Sequence, residues 1–391
     1  MLNTPFSPWP SFTQEEADAV SRVLLSNKVN YWTGNECREF EKEFAAWANC
    51  EYAIALGNGT LALDLALKAL GVGAGDEVIT TSRTFLASAS AIVTAGATPV
   101  FADVDLNSQN ITAETIAAVL TDKTKAVIVV HLAGMPAEMD AIMELACERG
   151  FYVIEDCAQA HGAKYKGRSV GTIGHIGAWS FCQDKIITTG GEGGMVTTND
   201  PALWSAMWAY KDHGKSYDAV YNRQHAPGFR WLHESFGTNW RMTELQGVIG
   251  RIQLRHMAEW TAKRQHNGKM IDDAVVGLPV VRTINVPEYI EHAEYKHYLF
   301  IKPEELSPDW SRERIIDEIS NTGVPVYQGS CSEIYLEKAF DNTSWRPVER
   351  LKNARLLGDT SLMFLVHPTL TMQEMEKTCL VIKAVLSRAS K

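Results

Sequence analysis

Apolar positions along this chain recur with two different periods, and the switches between them mark out elements. Thr13-Gln-Glu-Glu16 is a capping-box signal, in which threonine and glutamate each satisfy a free amide of the other's turn, and it predicts a helix to about Leu25. Residues 36–48 repeat the helical period after a loop at 30–34, and residues 52–56 form a short strand candidate running into Gly57-Asn-Gly-Thr60. A strong helical pattern follows over 61–70 and stops at Gly71. Short β-branched runs at 78–80, 99–104, 126–130 and 152–154 then alternate with helical stretches at 86–95, 113–120 and 139–149. Such alternation predicts βαβ units and a mostly parallel sheet covered on both faces. Ligands of such sheets sit beyond the carboxyl ends of the strands, so Gly59-Thr60, Arg83-Thr-Phe85 and Glu155-Asp156 become the residues of interest.

Residues 213–240 show no period and are rich in Tyr, Trp, His, Arg and Gly, a length that in a compact enzyme points to a functional loop. A helical pattern over 243–266 reads as a bridge. Beyond it, strands at 298–301, 324–327 and 362–366 and helices at 312–322, 348–357 and 372–386, the last capped by Thr371 and Glu374, predict a smaller α+β unit. At 391 residues the chain exceeds one ordinary core, which agrees with a large domain at 1–250 and a smaller one at 251–391.

Composition narrows the classes of function. A net charge of −10 argues against a general nucleic-acid or anionic-membrane surface. No apolar run approaches the roughly 18 residues needed to span a bilayer, and Met1 to Phe6 lack the basic and apolar regions of a secretion signal. The seven cysteines are scattered, with no Cys-x-x-Cys pair, which predicts reduced thiols in the cytoplasm and no structural metal site.

Three features carry candidate chemistry. The first is Trp179 to Met195, where one lysine, Lys185, is flanked by Trp179, Phe181, Ile186 and Ile187 and followed by clustered glycines. An apolar flank suggests a partly desolvated amine able to act as a nucleophile, although the stretch alone favours a surface lysine on a glycine-rich hairpin. The second is Gly57-Asn-Gly59-Thr60 opening a helix, where free amides, the helix dipole and the Thr60 hydroxyl would attract a phosphate. The same residues, Gly57-x-Gly59-x-x-Ala62 with Glu77 further on, also fit a dinucleotide fingerprint. The third is Asp156, ending an apolar strand, where it can pair with a cationic ring nitrogen or cap the next helix. Together a phosphate cup, a carboxylate and a lysine are the parts that pyridoxal phosphate (PLP) requires.

Asp156-Cys-Ala-Gln159, Ser180-Phe-x-x-x-Lys185 with the following Thr-Thr-Gly-Gly-Glu-Gly-Gly-Met, and Gly237-Thr-Asn-Trp-Arg-Met-Thr-Glu-Leu-Gln246 resemble the DegT/DnrJ/EryC1/StrS family of nucleotide-sugar aminotransferases. The resemblance runs from about residue 10 to the end. It implies PLP fold type I, with a seven-stranded, mostly parallel sheet in the large domain. By the same resemblance Lys185 is the Schiff-base lysine and proton shuttle, Asp156 the partner of the pyridinium nitrogen and Gln159 the partner of the ring oxygen. Gly59, Thr60 and Ser180 match the phosphate cup, Phe85 the aromatic stacked on the ring, and Asn239 a residue donated across a homodimer. The implied reaction moves the amino group of L-glutamate, through pyridoxamine phosphate (PMP) and with release of 2-oxoglutarate, to a nucleotide-linked keto-sugar for surface polysaccharide. The glycine-rich run looks more like members that aminate C4 of a 4-keto-6-deoxyhexose than those acting at C3.

Two segments depart from the family pattern, Tyr327-Gln-Gly-Ser-Cys-Ser-Glu333 and Ser361 to Pro368, and both lie in the part that helps shape the sugar pocket. They leave the sugar, and the choice of UDP, dTDP or GDP, open. A C3 aminotransferase, a PLP-dependent sugar dehydratase (whose resembling members carry histidine in place of Lys185), an NAD-dependent sugar oxidoreductase using the Gly57–Ala62 fingerprint, and a non-catalytic regulatory relative stand as alternatives. Among the remaining residues, His161 is expected as a hydrogen-bonded core histidine, Cys157 and Cys182 as small buried fillers, and Tyr31 and Trp32 as packing or base-stacking groups. Arg83, Arg230 and Arg241 read as salt-bridge or surface arginines with a diphosphate as the rival partner.

Overall fold

The computed structural model describes residues 5–391; the first four, part of the stretch read for a secretion signal, lie outside it. Helices α1 (Gln14–Leu25) and α2 (Glu36–Ala48) precede the main sheet, and α1 starts in the capping box of Thr13 and Glu16. The sheet is then laid down as β1 (Tyr52–Leu56), α3 (Gly59–Ala69), β2 (Glu77–Thr81), α4 (Ala87–Thr94), β3 (Thr98–Ala102), α5 (Ala113–Ala117), β4 (Thr124–Val130), α6 (Met139–Arg149) and β5 (Tyr152–Asp156). After the short β6 (Lys164–Tyr165) and β7 (Arg168–Ser169), it closes with β8 (Ile176–Ser180) and β9 (Gly194–Thr198). Spatial order is β1-β9-β8-β5-β4-β2-β3 in seven strands. Neighbours from β3 across to β8 are parallel, whereas β9 runs against both β8 and β1. The strands bury both faces, as a parallel sheet covered by helices must, and β8 is buried at every position.

Helix α7 (Pro201–Lys211) leads into residues 213–240, which hold the short α8 (Tyr217–Tyr221) rather than staying wholly aperiodic, and α9 (Glu244–Leu254) and α10 (Met257–Val275) follow. A four-stranded antiparallel sheet follows, ordered β10 (Val281–Arg282), β12 (His297–Ile301), β14 (Ser361–Phe364), β13 (Val326–Tyr327), while β11 (Ile290–Glu291) pairs back onto β6. Around it lie α11 (Arg312–Ser320), α12 (Lys352–Thr360) and α13 (Met372–Ala389), the last capped by Thr371 and Glu374. Ile271, Leu299, Ile319, Leu362 and Ile382 form its apolar centre.

Several element boundaries differ from the periodic pattern. The helix read at 243–266 is two helices that break at Arg255 and His256, because Gly250 and the α9 face pack on α2 while α10 turns toward α13. In the 348–357 stretch the helix starts only at Lys352, where the amides of Asn353 and Ala354 are held by Asp103. α3 starts two residues earlier than its apolar period, which puts Gly59 and Thr60 inside its first turn. β8 and β9 carried no strand assignment in the pattern, and they are the hairpin that presents Lys185.

Candidate active site

The carboxyl ends of β2, β5 and β8 and the first turn of α3 enclose a cavity of about 620 Å³. Gly59, Thr60, Phe85, Asp156, Gln159, Ser180 and Lys185 all line it, so seven residues separated by up to 126 positions in the chain meet in one place. Asn239 does not line it: the residue is exposed, bridged to Asp212 at the end of α7.

At one end, α3 meets β8. Asn58 caps the helix by accepting the Leu61 amide at 3.0 Å, while the amides of Gly59 and Thr60 come too early in the helix to find an intrahelical acceptor. A Cβ on Gly59 would lie 2.5 Å from Ser180 Cβ and 2.9 Å from Ser180 Oγ, so only glycine lets this helix start come against the serine. Trp179 and Phe181 pack on Phe44 and Phe40 of α2, and strand alternation turns Ser180 away from that core. The result is a helix N-terminus with two hydroxyls and room for a phosphate.

At the other end, Asp156 finishes β5. Its carboxylate accepts from Ser88 Oγ at 3.0 Å and from the Ala158 amide at 3.1 Å. Burial raises its proton affinity above the usual carboxylate range, and these two hydrogen bonds and the charge of Lys185 only partly offset that. A buried carboxylate of this kind is suited to a cationic partner. Gln159 accepts the Ala133 amide through Oε1 at 2.8 Å, which leaves its NH2 as the end available to a ligand acceptor. Phe85 stands 72% exposed at the cavity rim, with a face free to stack.

Lys185 lies on the connection between β8 and β9, as the hairpin reading has it, but its surroundings differ from those expected. Trp179, Phe181, Ile186 and Ile187 are fully buried in the core and anchor the loop. The amine itself, 18% exposed, faces polar groups: Asp184 Oδ1 is 3.7 Å from Nζ and the Tyr295 ring centroid 5.3 Å away. Tyr295, missed in the sequence, comes from the lead-in to β12 and carries no local signal that would reveal it.

The second tier of residues sorts as follows. His161 is fully buried against Trp179 and Phe181, yet neither ring nitrogen has a partner among the described residues, which corrects the expectation of a satisfied histidine. Burial, with Lys185 and Arg264 nearby, lowers its pKa to about 3, so the ring is neutral. Cys157 is a buried filler, whereas Cys182 is only partly buried and lines the cavity. Tyr31 is packed, its hydroxyl bonded to Glu41, and Trp32 stacks on Tyr221. Arg241 pairs with Asp212 and Arg230 is exposed, but Arg83 is fully buried with no carboxylate partner among the described residues, its guanidinium bonded to Gln109, Ser330 and Ser361. The dinucleotide fingerprint fails on topology: β1 sits at the sheet edge beside antiparallel β9, and the Glu77 carboxylate accepts from Thr121.

The fold and the relatives that share it make this chain a PLP-dependent aminotransferase. The pattern of the DegT/DnrJ/EryC1/StrS aminotransferase family matches residues 10–383, and the chain belongs to that family. The X-ray structure of the aminotransferase from Psychrobacter cryohalolentis is 65% identical with a TM-score of 0.97, covering 98% of this chain and 100% of that one. GDP-perosamine synthase of Escherichia coli O157:H7 is 42% identical over 256 residues, 66% of this chain and 67% of that protein. The dTDP-3-amino-3,4,6-trideoxy-alpha-D-glucose transaminase of Streptomyces venezuelae is 38% identical over 261 residues, 67% of this chain and 65% of that protein. No helix among the described residues is long and apolar enough to cross a membrane.

Proposed function

We propose that this enzyme moves the amino group of L-glutamate to C4 of a nucleotide-linked 4-keto-6-deoxyhexose. The observation that carries the reading is one cavity lined together by Asp156, Lys185 and the Gly59–Ser180 cradle. Bound there, PLP supplies the electron sink that makes an α-proton of the amino donor acidic. Gly59, Thr60 and Ser180 would hold its phosphate, Phe85 would stack on the ring, and the Gln159 NH2 would donate to the ring oxygen. Asp156 would keep a proton on the ring nitrogen, and a cation placed there would favour the charged carboxylate in its buried site. Lys185 would hold the cofactor through its amine, and its Nζ, once freed, would carry the proton between the substrate carbon and the cofactor carbon on the far side of the shared nitrogen.

The enzyme acts as a homodimer with shared sites. Asn239 is exposed outside its own cavity, and beside it in the chain Phe229, Trp231 and Phe236 are 80%, 86% and 99% exposed, surface suited to a second copy. Mixing inactive Lys185→Ala protein with inactive Asn239→Ala protein should restore part of the activity, since a mixed dimer contains one intact site. No recovery in a mixture shown to exchange subunits would contradict shared sites. All seven cysteines are free, which fits the cytoplasm. A large domain over 1–250 and a smaller one over 251–391 remain part of the proposal; the boundary falls within α9, between the last strand of the seven-stranded sheet and the first of the four-stranded one.

C4 is favoured by the Thr188-to-Met195 run, while the Streptomyces relative's 3-amino product keeps a 3-keto acceptor as the second reading. Incubation with glutamate and UDP-, dTDP- or GDP-linked 4-keto and 3-keto sugars, followed by NMR of the product, separates them. A 4-amino product with stoichiometric 2-oxoglutarate is expected; an amine at C3, or no product from any glutamate reaction, would overturn the reading.

A further inference from the structure

The Lys185 amine has neighbours that the reaction as described leaves without a role. The Tyr295 hydroxyl donates to Asp184 Oδ2, and the other oxygen of that carboxylate, Oδ1, is the one 3.7 Å from Lys185 Nζ. A carboxylate tied at one oxygen to a rigid group cannot swing away, so its second oxygen stays presented to the amine.

Tyr295 is such a group. It is buried, and its amide donates to Ala133 O at 2.9 Å while its carbonyl accepts from Arg264 Nη1 at 3.3 Å. The amide of that same Ala133 donates to Gln159 at the cavity, so one short stretch of chain positions both Gln159 and Tyr295. The lysine's own backbone is held as well, its carbonyl accepting from Trp9 Nε1 at 2.8 Å. Asp184 itself lines the cavity. Its carboxyl is kept below the ordinary range: burial pushes it up, and the charge of Lys185 and the Tyr295 hydrogen bond outweigh that.

A Schiff-base lysine must detach and re-form its bond in every turnover. Its four-carbon stem is flexible, and once it takes the substrate proton its nitrogen is an ammonium in a partly desolvated cavity. We propose that Asp184, pinned by Tyr295, is the positioning residue that receives the Lys185 amine whenever it is detached and balances its charge until the proton is returned. The inference rests on Lys185 being the cofactor lysine.

The test uses the full-length, PLP-loaded protein and the variants Asp184→Asn, Tyr295→Phe and the double variant. The Asp184 side chain is 59% exposed, so its replacement leaves the core intact. A carboxylate close to the imine nitrogen favours the protonated form, so Asp184→Asn should lower the pH midpoint of the visible absorbance band. The expected shift is roughly threefold in proton concentration, the size that a partly screened charge allows. Tyr295→Phe should shift it the same way by less, and the double variant no further than Asp184→Asn alone. In single turnovers with glutamate, Asp184→Asn should lower the limiting rate with little change in the half-saturating concentration. An unchanged midpoint, a loss of glutamate affinity at an unchanged limiting rate, or an additive effect of Tyr295→Phe would each overturn the proposal. A visible band that survives Lys185→Ala would instead defeat the functional reading on which it rests.

Discussion

Arg83 donates through Nη2 to the Ser361 hydroxyl at 3.3 Å, which ties the end of β2 to the start of β14. The same guanidinium reaches Gln109 at 3.0 Å and the Ser330 carbonyl at 3.4 Å, so both segments that depart from the family pattern, around Ser330 and Ser361, meet on one buried arginine. Every acceptor is neutral. Replacing Arg83 by Met would leave the Gln109 oxygen and the Ser330 carbonyl unpaired in the interior, and should cost about 2–4 kcal/mol of stability. Urea unfolding of the purified variant measures this; a loss under about 0.5 kcal/mol would show that the contacts are incidental.

Gly59→Ala should weaken cofactor binding by at least about tenfold, because the new methyl cannot coexist with Ser180 at 2.5 Å without moving α3 from β8. Titration of the cofactor-free variant with PLP, followed by absorbance, reads the change directly. Unaltered affinity would move the phosphate site elsewhere.

A pH effect on stability should come from His297, which lies between Glu294 and Asp272, 3.1 Å from each. Burial alone would lower its pKa; the two carboxylates outweigh it and raise the value to about 10. A group whose folded pKa is raised stabilises the fold fully below its unfolded value near 6.5, and that contribution is lost as pH rises through about 10. Denaturant unfolding from pH 6 to 10 should therefore show the gap between wild type and His297→Gln narrowing as pH rises. A gap constant across this range would mean that the ring is not charged in the folded protein.

Much of this could be read along the chain, and the failures have physical causes. Capping boxes at Thr13 and Thr371 placed α1 and α13, because their signals are local and their partners three residues away. That Asp156, Gly59 and Lys185 share one cavity was legible in part, since Asp156 ends a strand and Gly59 starts a helix, positions the sequence pattern marks. The setting of the lysine was not, since Tyr295 reaches Asp184 across 111 positions. Arg83 was misread for a similar reason: its partners at 330 and 361 lie in the other sheet's surroundings, and no periodicity reports a contact of that separation. β8 escaped notice because Ile-Gly-Ala-Trp-Ser, with one β-branched residue beside a glycine and an alanine, lacks the β-branched run that marked β4 and β5.

Asp156→Asn should retain the Ser88 contact but lose the charge, and turnover should fall by at least about 100-fold while the cofactor stays bound. In the cofactor-free wild type the raised carboxyl should cost stability as pH rises through its folded pKa, and Asn should remove that loss. Steady-state rates and unfolding curves at pH 4 to 7 check both. Wild-type turnover in the variant would exclude Asp156 as the partner of the ring nitrogen.

The most direct test of the account is the absorbance spectrum of PLP-reconstituted Lys185→Ala beside wild type, with borohydride reduction and peptide mass spectrometry. Wild type should show a visible band and, after reduction, a cofactor adduct on the peptide containing Lys185, both lost in the variant together with turnover. An adduct on another lysine, or turnover by the variant at the wild-type rate, would contradict it.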